Sequence, residues 1–133
     1  MGLQTAIAAL QAKVGAVAGI KNAPDYAPDS INEFPFSVAY AQSGTFENVS
    51  LSFGKALHTL VVEIHVSRKD LKTAIQNVMS YGDSVPAAIL ADPTIGGSVS
   101  TFRDITYTFG PLNWGTTDTI GFRFQINGAK IIN

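Results

Sequence analysis

Two histidines and one glutamate carry most of the chemistry this sequence could offer. His58, Glu63 and His65 all fall within the run Ala56 to Ser67. On a strand, side chains at i and i+2 share a face, and successive ones alternate. Glu63 and His65 therefore share a face, and His58 points to the other. Two ligands do not make a zinc site, which takes three or four from the protein. Nothing nearby supplies a third, and there is no H-x-x-x-H. The expectation is an ordinary wet strand face with no metal.

Other reactive arrangements are missing. There is no G-x-S-x-G, so Gly96-Gly97-Ser98 reads as a turn into a strand and not as a nucleophile elbow. There is no P-loop and no G-x-G-x-x-G. The chain has no cysteine, which removes disulfides, thiolate metal sites and a cysteine nucleophile and fits a reducing compartment. The acidic residues are well separated, although any two could still meet in space. We expect no catalytic residue and no cofactor. Trp114, the sole tryptophan, sits with Phe109, Pro111 and Leu112. It reads equally as a loop anchor for a partner, because aromatics dominate binding hot spots, and as a cover for one end of the core. Phe46 and Phe53 share that ambiguity.

These residues must be held by a few elements. Leu3, Ile7, Leu10, Val14 and Val17 recur at spacings of four and three, which predicts an amphipathic helix over 3–18. Alanine fills most of the rest, and Gly19 is the expected stop. The helix has only Lys13 as a basic residue, so it is expected to pack on a sheet and not on a membrane surface. Residues 21–35 form a connector punctuated by Pro24, Pro28 and Pro35. A strand over 36–41, a loop over 42–48 and a second arm through Val49, Leu51 and Phe53 follow.

Ala56 to Ser67 is the clearest strand. His58, Leu60, Val62, Ile64 and Val66 lie on one face, and Thr59, Val61, Glu63, His65 and Ser67 on the other. Alternation with one wet face predicts an antiparallel sheet. Ser67-Arg68-Lys69-Asp70 resembles a capping box, opening a helix with the stripe Leu71, Ile75, Val78 and Met79. Gly82 is expected to interrupt it, and Pro86 to open a short turn. Val99 to Phe109 is expected as a strand, 110–117 as a loop around Trp114, and Ile120 to Ile126 as the last strand. The expected fold is α+β, one domain over 1–133, in the order α-β-β-α-β-β. It has a mainly antiparallel sheet of about four strands, with helices packed on one face.

Composition bounds the function. The net charge is −1, whereas a duplex reader carries a basic patch. Only Arg68, Lys69 and Lys72 cluster, as a solvated first turn. Charged residues make up 14% of the chain, against roughly 25% in a typical soluble domain. Interfaces are depleted in Lys and Glu, so the low charge points to assembly; an uncharged monomeric surface is the alternative. No apolar run approaches the roughly 20 residues of a membrane span. Met1-Gly2-Leu3-Gln4-Thr5-Ala6 lacks the basic start of a signal peptide, and neither export nor membrane association is expected.

The pattern resembles a known family. Its marks are the helix running into Gly19-Ile20-Lys21, the proline-punctuated connector, and Phe34-Pro35-Phe36-Ser37-Val38-Ala39-Tyr40. The strand Leu60-Val61-Val62-Glu63-Ile64-His65-Val66 then leads to Arg68-Lys69-Asp70-Leu71. Met79-Ser80-Tyr81-Gly82 and Ile89-Leu90-Ala91-Asp92-Pro93-Thr94-Ile95-Gly96-Gly97 follow. In order and element length, nearly the whole chain is similar to the tail terminator, or tail completion, proteins of long-tailed bacteriophages. The resemblance implies a structural virion protein, assembled in the host bacterial cytoplasm. It implies a homo-oligomer, expected as a hexameric ring, that caps the tail tube, stops its polymerisation and joins it to the head–neck connector. DNA would pass through the lumen without specific binding. Alternatives are another neck or tail-tube protein, or a small ligand-binding or enzymatic α+β domain.

The family has no catalytic residues to carry over. Exposure logic alone nominates three interface segments: the loop 42–48 with Ser43 and Phe46, the turn 92–97 with Thr94 and Ile95, and the loop holding Leu112 and Trp114.

Overall fold

The computed structural model of the chain describes residues 2–21, 33–49, 52–68 and 71–131. Pro24, Pro28, Leu51 and the Lys69-Asp70 half of the expected capping box lie outside them. The fold is α+β. Helix α1 (Leu3–Gly15) precedes a long hairpin of β1 (Phe36–Val49) and β2 (Ser52–Ser67). Helices α2 (Leu71–Val78) and α3 (Tyr81–Leu90) follow, then β3 (Val99–Thr101), β4 (Asp104–Trp114) and β5 (Thr117–Ile131).

All five strands pair antiparallel. The order is β1-β2-β5, with β5 taking both β3 and β4 on its far side. The last strand in sequence is therefore central.

One face of the sheet carries the helices. Leu60, Val62, Ile64 and Val66 on β2 line up with Ile126, Phe124, Phe122 and Ile120 on β5. All eight are buried with Ala6, Leu10 and Val14 of α1 and Val78, Val85 and Ile89 of α2 and α3. Burying such a side chain fully stabilises by roughly 1.5–3 kcal/mol, so this layer dominates the core. Ala6, Leu10 and Val14 step by four, as the α1 stripe requires. Leu3, expected to begin that stripe, is exposed, and Ile7 and Val17 lie at its margin. The helix stops at Gly15, earlier than expected. Gly19 instead turns the chain at φ +95°, where a Cβ would come within 2.5 Å of the Tyr81 hydroxyl.

Several boundaries differ from the expectation. The segment 42–48 is not a loop; β1 runs through it to Val49. Nor is 110–117 a loop; β4 continues to Trp114, and only residues 115–116 turn before β5. Cross-strand pairing overrides the loop-favouring Ser43-Gly44 and Gly110-Pro111 in both places. Gly82 and Pro86 fall inside α3. The run Val99 to Phe109 divides into β3 and β4 at Phe102-Arg103, giving five strands.

The second face is also buried, against the expectation of a wet one. Val61, Glu63 and His65 on β2 are covered, as are Phe36 and Val38 on β1 and Thr119 on β5. The curl of the sheet brings Trp114, at the end of β4, over this face. Its ring centroid lies 6.1 Å from that of His65 and 6.0 Å from that of Tyr40.

Candidate functional site

Of the residues with chemistry to offer, Glu63 and His65 meet partners on this second face, and His58 does not join them. Register places Val38 opposite Glu63 and Phe36 opposite His65 on β1–β2. On β2–β5 it places Glu63 opposite Arg123 and His65 opposite Gly121. Glu63 and His65 thus share a face as expected, and they bond to each other. His65 Nε2 lies 2.8 Å from Glu63 Oε1, and His65 Nδ1 lies 2.5 Å from Thr119 Oγ1. The arrangement fits the tautomer in which Nε2–H donates to the carboxylate and Nδ1 accepts from the Thr119 hydroxyl. The Tyr40 hydroxyl donates to Glu63 Oε2. Arg123 Nε stands 3.6 Å from that same oxygen.

A bulge extends the network. The β1–β2 register shifts between Ala41 and Ser43, leaving Gln42 without a partner residue on β2. Its Oε1 accepts from Arg123 Nη2 at 2.8 Å and from Gln125 Nε2 at 2.9 Å. Thr106 on β4 reaches Gln125 in turn, so the polar network touches four strands.

Electrostatics follow from this packing. Burial by itself would raise the pKa of Glu63. Hydrogen bonds from His65 and Tyr40, helped by the charge of Arg123, outweigh it and hold the carboxyl below its ordinary value. The Tyr40 hydroxyl moves up, first through burial and then through its bond to Glu63.

The geometry leaves Glu63 little room to act as a general base. A general base must reach the proton it removes. The Glu63 side chain is 8% exposed, and its oxygens are engaged by His65, Tyr40 and Arg123. Among the described residues, no three of His, Asp, Glu and Cys come together as a metal site would need.

The six nominated interface residues do not form one surface. Ser43 and Phe46 lie on β1, opposite Thr59 and Ala56. Both are exposed, and Phe46 sets its ring edge-on to His58 at 5.3 Å. Leu112 and Trp114 are half-buried at the other end of the sheet, opposite Thr119 and Thr117. Trp114 covers the second face there. Thr94 is exposed, and its hydroxyl bonds Asp92 at 3.0 Å. Ile95 is a correction: it is wholly buried in the core and so cannot face a partner. Asp92 accepts the Gly96 N–H and pairs with Lys13 at 3.1 Å, clamping this turn onto α1.

Sequence reasoning missed Tyr40, Arg123 and Thr119, and it set Gln42 in an interface loop where the structure sets it in β1. One signal was present. The unbroken apolar run Leu60-Val61-Val62 is the mark of a strand covered on both faces. No family model matches the chain, and no curated protein matches it by sequence.

Proposed function

We propose that this chain is a structural subunit of a phage tail, a tail terminator that closes into a ring on the tube and meets the head–neck connector. One observation carries the reading beyond the resemblance. The last pair between β2 and β5 is Leu57 with Lys130. The β1–β2 hairpin continues past it, through Phe46 with Ala56 to Val49 with Ser52. Beyond Leu57, the described residues of this ribbon pair only with each other. It projects from the sheet, and Phe46 near its base is 66% exposed. A two-stranded ribbon is marginal alone in water, so a projecting one fits an arm that packs against neighbouring subunits. Rings need heterologous contacts that close, and a low-charge surface with a projecting arm that exposes Phe46 suits them. The partners would be other copies, the tail-tube protein and the connector proteins, with DNA crossing the lumen unbound.

The enzymatic alternative gains little from a network whose buried polar groups engage one another. Another neck or tail-tube role remains the nearest competitor. Light scattering over a concentration range, followed by negative-stain imaging with isolated tail tubes, tests the reading. A closed ring, or protein capping tube ends, supports it. Open-ended polymers of the pure protein would favour a tube subunit. A monomer that ignores tubes would overturn it.

A further inference from the structure

The two long outer strands of the sheet, β1 and β4, are treated very differently; the third outer strand, β3, is only three residues long. An outer strand offers unpaired main-chain groups to any passing strand, and proteins blunt such edges with bulges, charge, proline or a covering element. Strand β1 is blunted. Its register with β2 shifts twice, at Ala41/Ser43 and at Phe46/Asn48. Helix α1 packs against it, and Gln11 Nε2 bonds the Ser37 carbonyl at 2.6 Å. Strand β4 has none of these devices between Ile105 and Phe109. Its register with β5 is unbroken from Asp104 to Trp114. The stretch Ile105-Thr106-Tyr107-Thr108-Phe109 holds no charge, no proline and no glycine.

That stretch reads alike in both directions. Ile105, Tyr107 and Phe109 lie on the helix-bearing face, opposite Ile126, Phe124 and Phe122. Thr106 and Thr108 lie on the other face. Inverted about Tyr107, apolar meets apolar and threonine meets threonine. The absence of charge from Ile105 to Trp114 lets two such edges approach without like-charge repulsion. Beside the strand runs a groove of about 450 Å³ lined by Met79, Gly82, Asp83, Tyr107, Phe109 and Phe122. Tyr107 is 62% exposed there and Met79 47%.

We infer that β4 is a self-pairing edge: two copies of this chain join antiparallel along Ile105–Phe109 about a two-fold at Tyr107, continuing the sheet across the contact and covering the groove. An isologous contact of this kind needs only one open edge, and among the described strands β4 is the long outer one left open, β3 being only three residues. The inference is independent of the ring reading, since a ring closes through heterologous contacts and this one is two-fold.

Self-pairing places Tyr107 opposite its own copy, within the Cα spacing a disulfide spans. The chain has no native cysteine, so a single introduced thiol reports cleanly. In the full chain, mild oxidation of Tyr107→Cys should give a covalent dimer, and Thr5→Cys, at an exposed position of α1, should not. A second pair of variants reads the register through Thr106, which would face Thr108 of the other copy. Thr106→Lys/Thr108→Lys sets like charges across the two-fold and should weaken self-association about tenfold. Thr106→Lys/Thr108→Glu sets opposite charges and should restore it. Sedimentation gives the masses, and circular dichroism checks folding. Failure of Tyr107→Cys to cross-link, or equal masses for the two charge variants, would overturn the inference. Loss of tube capping with self-pairing intact would sink the ring reading alone.

Discussion

The carboxylate of Glu63 and the imidazole of His65 lie 2.8 Å apart, two residues along one strand, with the histidine wholly buried. Each also has a second partner, Tyr40 for Glu63 and Thr119 for His65. The pair therefore ties β1, β2 and β5 together on the face away from the helices.

Truncating Glu63 should be costly. Glu63→Ala strands the His65 N–H and the Tyr40 hydroxyl without an acceptor, at roughly 1–3 kcal/mol for each buried group. We expect a loss of about 3 kcal/mol in urea unfolding, and clearly less for Glu63→Gln, which keeps an acceptor oxygen. Equal losses for the two variants would mean that the bonds carry little of the effect.

The same carboxylate should make the fold acid-sensitive. Its folded pKa lies below its ordinary value, so the unfolded chain takes up the proton first. The stabilisation is complete above about pH 4.5, the ordinary value, and drains away as pH falls toward the lower folded value. Asp92 acts in the same direction, held at about 2 by the Gly96 N–H, Lys13 and Thr94. Unfolding free energies measured from pH 6 to pH 2.5 should fall with acid, and fall less steeply in Glu63→Gln.

Gly121 should not tolerate a side chain. A Cβ there would stand 1.7 Å from the main-chain oxygen of Ile64, which cannot move aside without breaking the β2–β5 ladder. Gly121→Ala should cost on the order of 4 kcal/mol or prevent soluble expression. An unchanged melting temperature would contradict this close approach of the strands.

Trp114 should be coupled to Tyr40 across the second face. Their ring centroids are 6.0 Å apart. A double-mutant cycle with Trp114→Ala and Tyr40→Ala should return an interaction of about 0.5–1.5 kcal/mol. A coupling of zero would place the tryptophan elsewhere in solution.

Phe46 should matter to assembly and not to the fold. At 66% exposure it contributes little to the core, so Phe46→Ser should change stability by less than about 0.5 kcal/mol. Under the ring reading it should reduce capping of tail tubes in a co-sedimentation assay. Full capping by the variant would remove this side chain from the interface.

What was legible in the sequence follows a physical divide. Leu10 and Val14 announce their helix, and Leu60 to Val66 their strand, because local periodicity reports which side is buried. Ser43, Phe46, Leu112 and Trp114 were misplaced onto loops because turn-favouring neighbours say nothing of a partner strand far along the chain. Tyr40 and Arg123 escaped notice for a similar reason: only the sheet register sets them beside Glu63. The wet face expected for Glu63 and His65 was wrong because curl is a property of the whole sheet, and curl brings Trp114 over them.

The central place of β5 bears on how the molecule is made. During synthesis, β1 and β2 emerge early and can meet as a hairpin. The flank of β2 that β5 covers then waits while helices and two further strands are translated. Strands β3 and β4 likewise emerge before the strand that joins them to the sheet. Until Thr117–Ile131 leaves the ribosome, the nascent chain carries apolar strand edges in search of a mate, a period when chaperones and crowding would weigh most heavily on its fate.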